Sequence, residues 1–298
     1  MTRAEWGMML LLSLLWGGSF LFVGIAVGDV PVISIVAFRV LLAALVLHLA
    51  LRVMGKDFPL TRESLVAFIG MGILNSALPF CLIVFGQTRI NSGLASIINA
   101  MTPIFTMILA HLFTRDEKIG GLKAIGVLLG FAGVIILFSG RDLVGNAAVV
   151  GQIACMLAAL SYGFSNIFGR RFSRLKMDPI VMATGQMTAS AAIMVPLSLI
   201  VDAPFARALP GWPSILALTA LALASTAGAY VLFFRILSRA GATNASLVTL
   251  LIPCSAILFG SVVLGEALGI REIGGFLTIA LGLLVIDGRL IRFFLQRG

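Results

Sequence analysis

Two polar stripes stand inside otherwise apolar stretches of this chain. Ser92, Ser96, Asn99 and Pro103 recur at steps of 4, 3 and 4, which keeps them on one face of a helix. Ser246, Thr249 and Pro253 repeat the spacing later. Proline donates no backbone N–H. Pro103 therefore leaves the carbonyl of Asn99 without its helical donor, and Pro253 does the same to Thr249. Each stripe presents a side-chain polar group and an unpaired carbonyl at one depth. In apolar surroundings such groups persist where they meet a cavity or another helix. Two uses fit: binding of a polar solute, or a kink whose carbonyl a neighbouring Ser or Thr satisfies.

Further polar and aromatic groups recur in the same paired way. Asn75, Ser76, Pro79 and Phe80 stand opposite Ser225, Thr226, Gly228 and Tyr230. They serve either as contacts between helices or as a lining for a ligand. Trp16-Gly17-Gly18-Ser19 resembles Tyr162-Gly163-Phe164-Ser165-Asn166. An aromatic beside glycine lets one backbone approach while a ring projects into a crossing or a cavity. Arg39 is the one basic residue deep in an apolar run, and Gln186 is almost opposite it in the second half. A buried arginine seeks a carbonyl, a carboxylate or water, so Arg39 either snorkels to the nearer face or meets a substrate carboxylate.

Other chemistry is excluded. No Asp or Glu lies deep in an apolar run, so the usual carboxylate proton carrier is missing. His48 and His111 sit toward the ends of theirs. There is no HExxH, no paired intramembrane Asp and no Ser-His constellation, which argues against an enzyme. Cys81, Cys155 and Cys254 lie in apolar runs without metal spacing, so no zinc site, disulfide framework or other cofactor is expected.

These residues need elements to hold them. Sixty percent of the residues are apolar and 11% are charged, less than half the charge of a soluble domain. Runs of about 20 apolar residues read as membrane spans. They are expected near 6–27, 31–54, 64–88, 92–114, 119–139, 148–169, 179–201, 212–237, 243–265 and 271–291. The first run is too long for a signal-peptide core and reads as a span. Of the 21 Lys and Arg residues, sixteen fall on one side of the membrane. Arg89, Arg141, Arg207 and Arg271 fall on the other. Positive residues accumulate inside, which predicts that both termini are cytoplasmic. The net charge of +9 is an orientation signal in short loops, not a nucleic-acid patch.

The spans repeat. Residues 75–103 align with 225–253 at an offset of 150, matching Ser76 with Thr226, Phe80 with Tyr230 and Pro103 with Pro253. Glu117, Gly126 and Gly133 match Glu266, Gly275 and Gly282 at 149. Five spans per copy is an odd number, so the second copy enters the bilayer from the opposite side. Repeats over 1–144 and 145–298 predict an inverted pair around a midplane site. Glu117 and Glu266 are expected to cap or pair with backbone. The fifth span is rich in glycine, and Gly126 to Gly130 forms a small-residue face. The fifth and tenth spans read as peripheral packing, with a homodimer as a further use of those faces.

The chain resembles the drug/metabolite transporter superfamily, specifically the ten-helix EamA-type exporters. The carriers are Trp16 through Phe20, Arg39, Ala95 through Pro103, Glu117-Lys118, and their second copies from Ala245 through Pro253 with Glu266, Gly275 and Gly282. The resemblance covers nearly the whole chain and is nearest to aromatic amino-acid exporters. It implies an all-α, basket-like bundle with a central cavity, alternating access and export of small metabolites across the bacterial inner membrane. The expected binding residues are Trp16, Ser19, Asn75, Phe80, Ser96, Asn99, Tyr162, Asn166, Tyr230, Ser246 and Thr249. Pro79, Pro103 and Pro253 are the expected kink or gating points. Rings suit an apolar side chain, and amides and hydroxyls suit an ammonium and a carboxylate. Amino acids, taken by facilitated diffusion or exchange, are therefore the expected substrates. Other metabolites and lipophilic drugs are the alternative.

Overall fold

Each apolar run becomes a helix that starts at a cap or a breaker. The computed structural model describes residues 2–115, 117–139, 146–170, 172, 175–240 and 248–287. Among them the regular structure is helical, without strands. Helix α1 (Arg3–Ala26) opens on a capping box, Thr2 with Glu5, which satisfies two otherwise orphaned N–H groups. Helix α2 (Val32–Val53) follows Pro31. The Thr61 hydroxyl caps α3 (Arg62–Gln87), and the Asn91 side chain caps α4 (Ser92–Phe113). Then come α5 (Gly121–Phe138), α6 (Asn146–Phe168) and α7 (Pro179–Val201), the last capped by Asp178. Helix α8 (212–240), α9 (Val248–Val263) and α10 (Ile270–Asp287) complete the order.

Eight of these helices are long and apolar enough to cross a membrane, and α9 is a shorter apolar helix. Helix α10 carries Arg271, Glu272 and Asp287 at its ends. Large apolar side chains such as Leu45, Leu49, Leu128 and Ile135 point outward, as lipid contact requires. The boundary expected at 144/145 lies outside the described residues.

The packing pairs elements across the two halves. Helix α2 lies on α7 and α5 on α10; α1 lies on α9 and on α8, while α6 lies on α4 and on α3. Exchanging the halves maps this list onto itself. The closest approach is between α5 and α10. A Cβ on Gly282 would lie 2.6 Å from the Gly126 carbonyl oxygen, and one on Gly133 would lie 2.8 Å from that of Gly275. These contacts run 126 with 282 and 133 with 275, so the two helices are antiparallel. The glycine faces of α5 and α10 are occupied by each other within one chain.

Candidate functional site

Two π-helical turns position the central polar groups. Helix α3 widens at Ile73–Ala77 and α8 at Leu223–Gly228, the same place in each half. In α3 the Leu78 N–H reaches back five residues to the Ile73 carbonyl, and Pro79, next in line, has no N–H to donate. The wide turn leaves carbonyls off the regular ladder, and hydroxyls of neighbouring helices take them. Ser161 donates to the Leu74 carbonyl at 2.8 Å and Ser190 to that of Gly72 at 2.8 Å. Thr226 donates within α8 to the Leu221 carbonyl at 2.7 Å. Such turns concentrate at functional sites.

The α3 turn aims Asn75 inward. Its Nδ2 donates to Gln186 Oε1 at 3.2 Å and to the Tyr230 hydroxyl at 3.0 Å. Its Oδ1 accepts from Ser165 Oγ at 3.0 Å. One amide thus joins α3, α6, α7 and α8. Arg39 of α2 lies beside this group and is 8% exposed. Its Nε donates to Thr226 Oγ1 at 2.8 Å, and its guanidinium carbon sits 3.6 Å from the Phe80 ring centroid. Tyr162 and Tyr230 stand within its electrostatic reach. Among the described residues no carboxylate pairs with it. Arg39 does not snorkel: its guanidinium carbon lies over an aromatic ring inside the bundle, a favourable place for a desolvated cation.

The structure brings Asn75, Phe80, Tyr162 and Tyr230, four of the candidate binding residues, into one cluster with Arg39, Gln186, Ser165 and Thr226. Other expected residues join none of its hydrogen bonds. The Trp16 ring packs on Phe233 at 5.3 Å, and Ser19 Oγ donates to the Trp16 carbonyl. Ser96 Oγ donates to the Gly93 carbonyl at 2.7 Å. Exposed Asn166 ties α6 to α4 through Thr106 Oγ1 at 2.9 Å. Thr249 is half-buried on α9, and Ser246 lies outside the described residues.

The proline stripe is corrected in part. The Asn99 carbonyl is not open, because Thr102 Oγ1 donates to it at 2.8 Å. The helix breaks there, between Ser92–Asn99 and Thr102–Phe113. Asn99 Oδ1 is buried without a hydrogen-bond partner. Pro79 and Pro253 are buried within their helices. The aromatic-glycine pairs are helix crossings: a Cβ on Gly17 would lie 2.9 Å from the Ala256 amide nitrogen, and one on Gly163 would lie 3.2 Å from the Phe105 backbone.

The outlying acids and histidines hold backbone and cations. Glu266 accepts from Ser92 N at 2.9 Å, Ser92 Oγ at 2.6 Å and Gly93 N at 3.2 Å, capping α4 as expected. Its counterpart Glu117 pairs with Arg170. His111 Nδ1 accepts from Ile119 N, and His48 Nε2 bonds Thr188 Oγ1.

Sequence comparison agrees with this architecture. The EamA-like transporter family matches the chain twice, over residues 5–139 and 149–287. The chain belongs to this family. It is 27% identical to the "Uncharacterized transporter YoaV" of Bacillus subtilis, over 91% of this chain and 92% of that one. The "Uncharacterized inner membrane transporter YedA" of Escherichia coli is 29% identical, with 94% and 87% covered. A "Probable amino-acid metabolite efflux pump" of Salmonella typhimurium is 26% identical, with 96% and 95% covered. A solved crystal structure superposes with a TM-score of 0.69 at 19% identity, covering 99% of both chains, and so shares the fold. This EamA member is a multi-pass transporter of the bacterial inner membrane.

Proposed function

We propose that this transporter exports amino acids, aromatic or large neutral ones, by alternating access. The carrying observation is Arg39, a buried cation with no carboxylate partner among the described residues. A substrate carboxylate supplies the missing charge. Phe80, Tyr162 and Tyr230 offer ring faces for the side chain. Asn75 and Gln186 offer amide oxygens to the ammonium. The name of the Salmonella relative supports the substrate class.

Ten spans in two inverted repeats, 1–144 and 145–298, fit the double family match, the paired π turns and the antiparallel α5–α10 contact. The Lys and Arg asymmetry favours cytoplasmic termini. Pro79, Pro103 and Pro253 are the hinge points between two states of a central cavity. The absence of a carboxylate at mid-depth favours facilitated diffusion or exchange over proton coupling.

Counterflow of labelled phenylalanine into liposomes holding the purified protein tests this reading. Saturable uptake that ignores a pH gradient is expected. Strong gradient dependence would overturn the uncoupled mechanism. No uptake of any large neutral amino acid would overturn the substrate assignment and favour other metabolites or lipophilic drugs.

A further inference from the structure

The same three-residue device occurs at both faces of the bundle, and it is engaged at only one. Helices α3 and α8 begin at equivalent residues, with Thr61 and Gly211 as caps and Ser64 and Ser214 three residues on. Asp29 and Asp178, 149 apart, end the connections from α1 and α6. Asp29 Oδ2 accepts from Ser214 Oγ at 2.6 Å and from Gly211 N at 3.2 Å. That bond joins the two halves. Asp178 instead accepts from its own Ile180 N at 3.0 Å and pairs with Lys56. Ser64 Oγ turns to the carbonyls of Pro59 and Thr61, each at 2.9 Å.

Two more carboxylates reinforce the engaged face. Glu266 holds the start of α4, and Asp202 Oδ2 accepts from Ser34 N at 2.7 Å and Ser34 Oγ at 2.8 Å at the start of α2. All three contacts cross between halves and place a carboxylate on orphaned N–H groups at the positive end of a helix. At the other face Asp178 and Glu117 also reach across the halves, but to the cations Lys56 and Arg170 rather than to the start of a helix. Side-chain exposure shows the same asymmetry. Asn166 of α6 is exposed, whereas its counterpart Phe20 in α1 is 5% exposed.

In an inverted repeat, exchanging the states of the halves exchanges the faces. We propose that Asp29 and Asp178 are alternating latches: Asp29 on Ser214 and Gly211 closes one face, and Asp178 on Ser64 and Thr61 closes the other. In the exchanged state Asp178 leaves Lys56 and Asp29 releases α8. The freed groups lie at the ends of the helices, where water replaces their partners. The latch rests on the alternating-access reading given above.

The test uses the full chain in liposomes with Cys81, Cys155 and Cys254 replaced by Ala. Phe20→Cys and Asn166→Cys, one at a time, report the two faces to a membrane-impermeant thiol reagent. Asp29→Asn is expected to raise labelling of Phe20→Cys about tenfold, the scale of one lost charge-assisted hydrogen bond, and to lower that of Asn166→Cys. Asp178→Asn is expected to move both reporters the other way, and Lys56→Gln to move them as Asp29→Asn does. Ser214→Ala should reproduce Asp29→Asn and add little to it, which keeps the test usable if Asp29→Asn misfolds. Equal shifts in one direction from Asp29→Asn and Asp178→Asn, or no shift from either, would overturn the latch. If the latch variants move the reporters oppositely but phenylalanine moves neither, the substrate reading fails and the latch stands.

Discussion

Arg39 donates through Nε to Thr226 Oγ1 at 2.8 Å, joining α2 of one half to the π turn of α8 in the other. The bond holds the guanidinium over Phe80, 3.6 Å from the ring centroid, and in the function proposed above its terminal nitrogens meet the substrate carboxylate. Lysine carries the charge but has no planar fork and no Nε donor. Arg39→Lys should therefore lower phenylalanine counterflow about tenfold or more, the worth of a charge-assisted hydrogen bond. Thr226→Val, which keeps the shape and removes the acceptor, should give a smaller loss. Equal counterflow in wild type and Arg39→Lys would remove Arg39 from the substrate site.

Asn75 and Tyr230 separate binding from framework. The Tyr230 hydroxyl meets Asn75 Nδ2 at 3.0 Å. Tyr230→Phe keeps the ring and removes the hydroxyl's neutral hydrogen bonds, of which the one to Asn75 is worth about 1 kcal/mol. A rise of about fivefold in KM with little change in maximal flux is expected. Asn75→Leu removes the bonds to Gln186, Tyr230 and Ser165 together and should abolish transport. Counterflow that survives Asn75→Leu at wild-type KM would place the substrate elsewhere.

Much of this frame was legible in the residues. Apolar run length located the helices, and the offset of 150 foresaw the matching places of Asn75-Ser76 and Ser225-Thr226. The π turns were not legible, because an extra residue in a turn leaves no mark on the apolar pattern. Arg39 was visible as an anomaly, but sequence could not choose between snorkelling and burial. Its depth depends on Phe80 and Thr226, 41 and 187 residues away. Ser96 and Asn99 show the converse error. A polar residue on an apolar face looks like a ligand site, yet a serine hydroxyl can turn back to its own helix, as Ser96 does on Gly93. The Asn99 carbonyl was miscounted because Thr102, one residue before Pro103, supplies the missing donor.

The α5–α10 contact gives a stability prediction with an internal control. A methyl group on Gly282 would lie 2.6 Å from the Gly126 carbonyl oxygen and 2.9 Å from the Gly130 nitrogen. Both are backbone atoms, so the helices themselves must separate. Gly274→Ala, one helix face away, meets its nearest atom at 4.0 Å. Overpacking costs about 1–3 kcal/mol. Gly282→Ala should lower the unfolding temperature of the detergent-solubilised protein clearly, and Gly274→Ala should not. Equal melting temperatures would mean that α5 and α10 do not pack through this face.

Asp178 lies outside the spans, where its titration reaches solvent. Burial by itself would raise its pKa. The hydrogen bonds from Lys56 and the Ile180 N–H, with the charge of Lys56, outweigh that and hold its pKa below the ordinary value of 3.8. A group whose folded pKa is lowered binds fewer protons in the folded state than in the unfolded one. Its contribution is present in full above the ordinary aspartate range. It is lost as pH falls from 3.8 through the folded value. Thermal unfolding should therefore show a stability loss below pH 3.8 that is smaller in Asp178→Asn, since asparagine has no proton to take up. Lys56→Gln should also shrink this acid-linked loss, because it removes both the bond and the charge that lower the pKa. If Asp178→Asn leaves the acid limb unchanged, other carboxylates govern it, and the Lys56–Asp178 pair contributes nothing to the stability of that face.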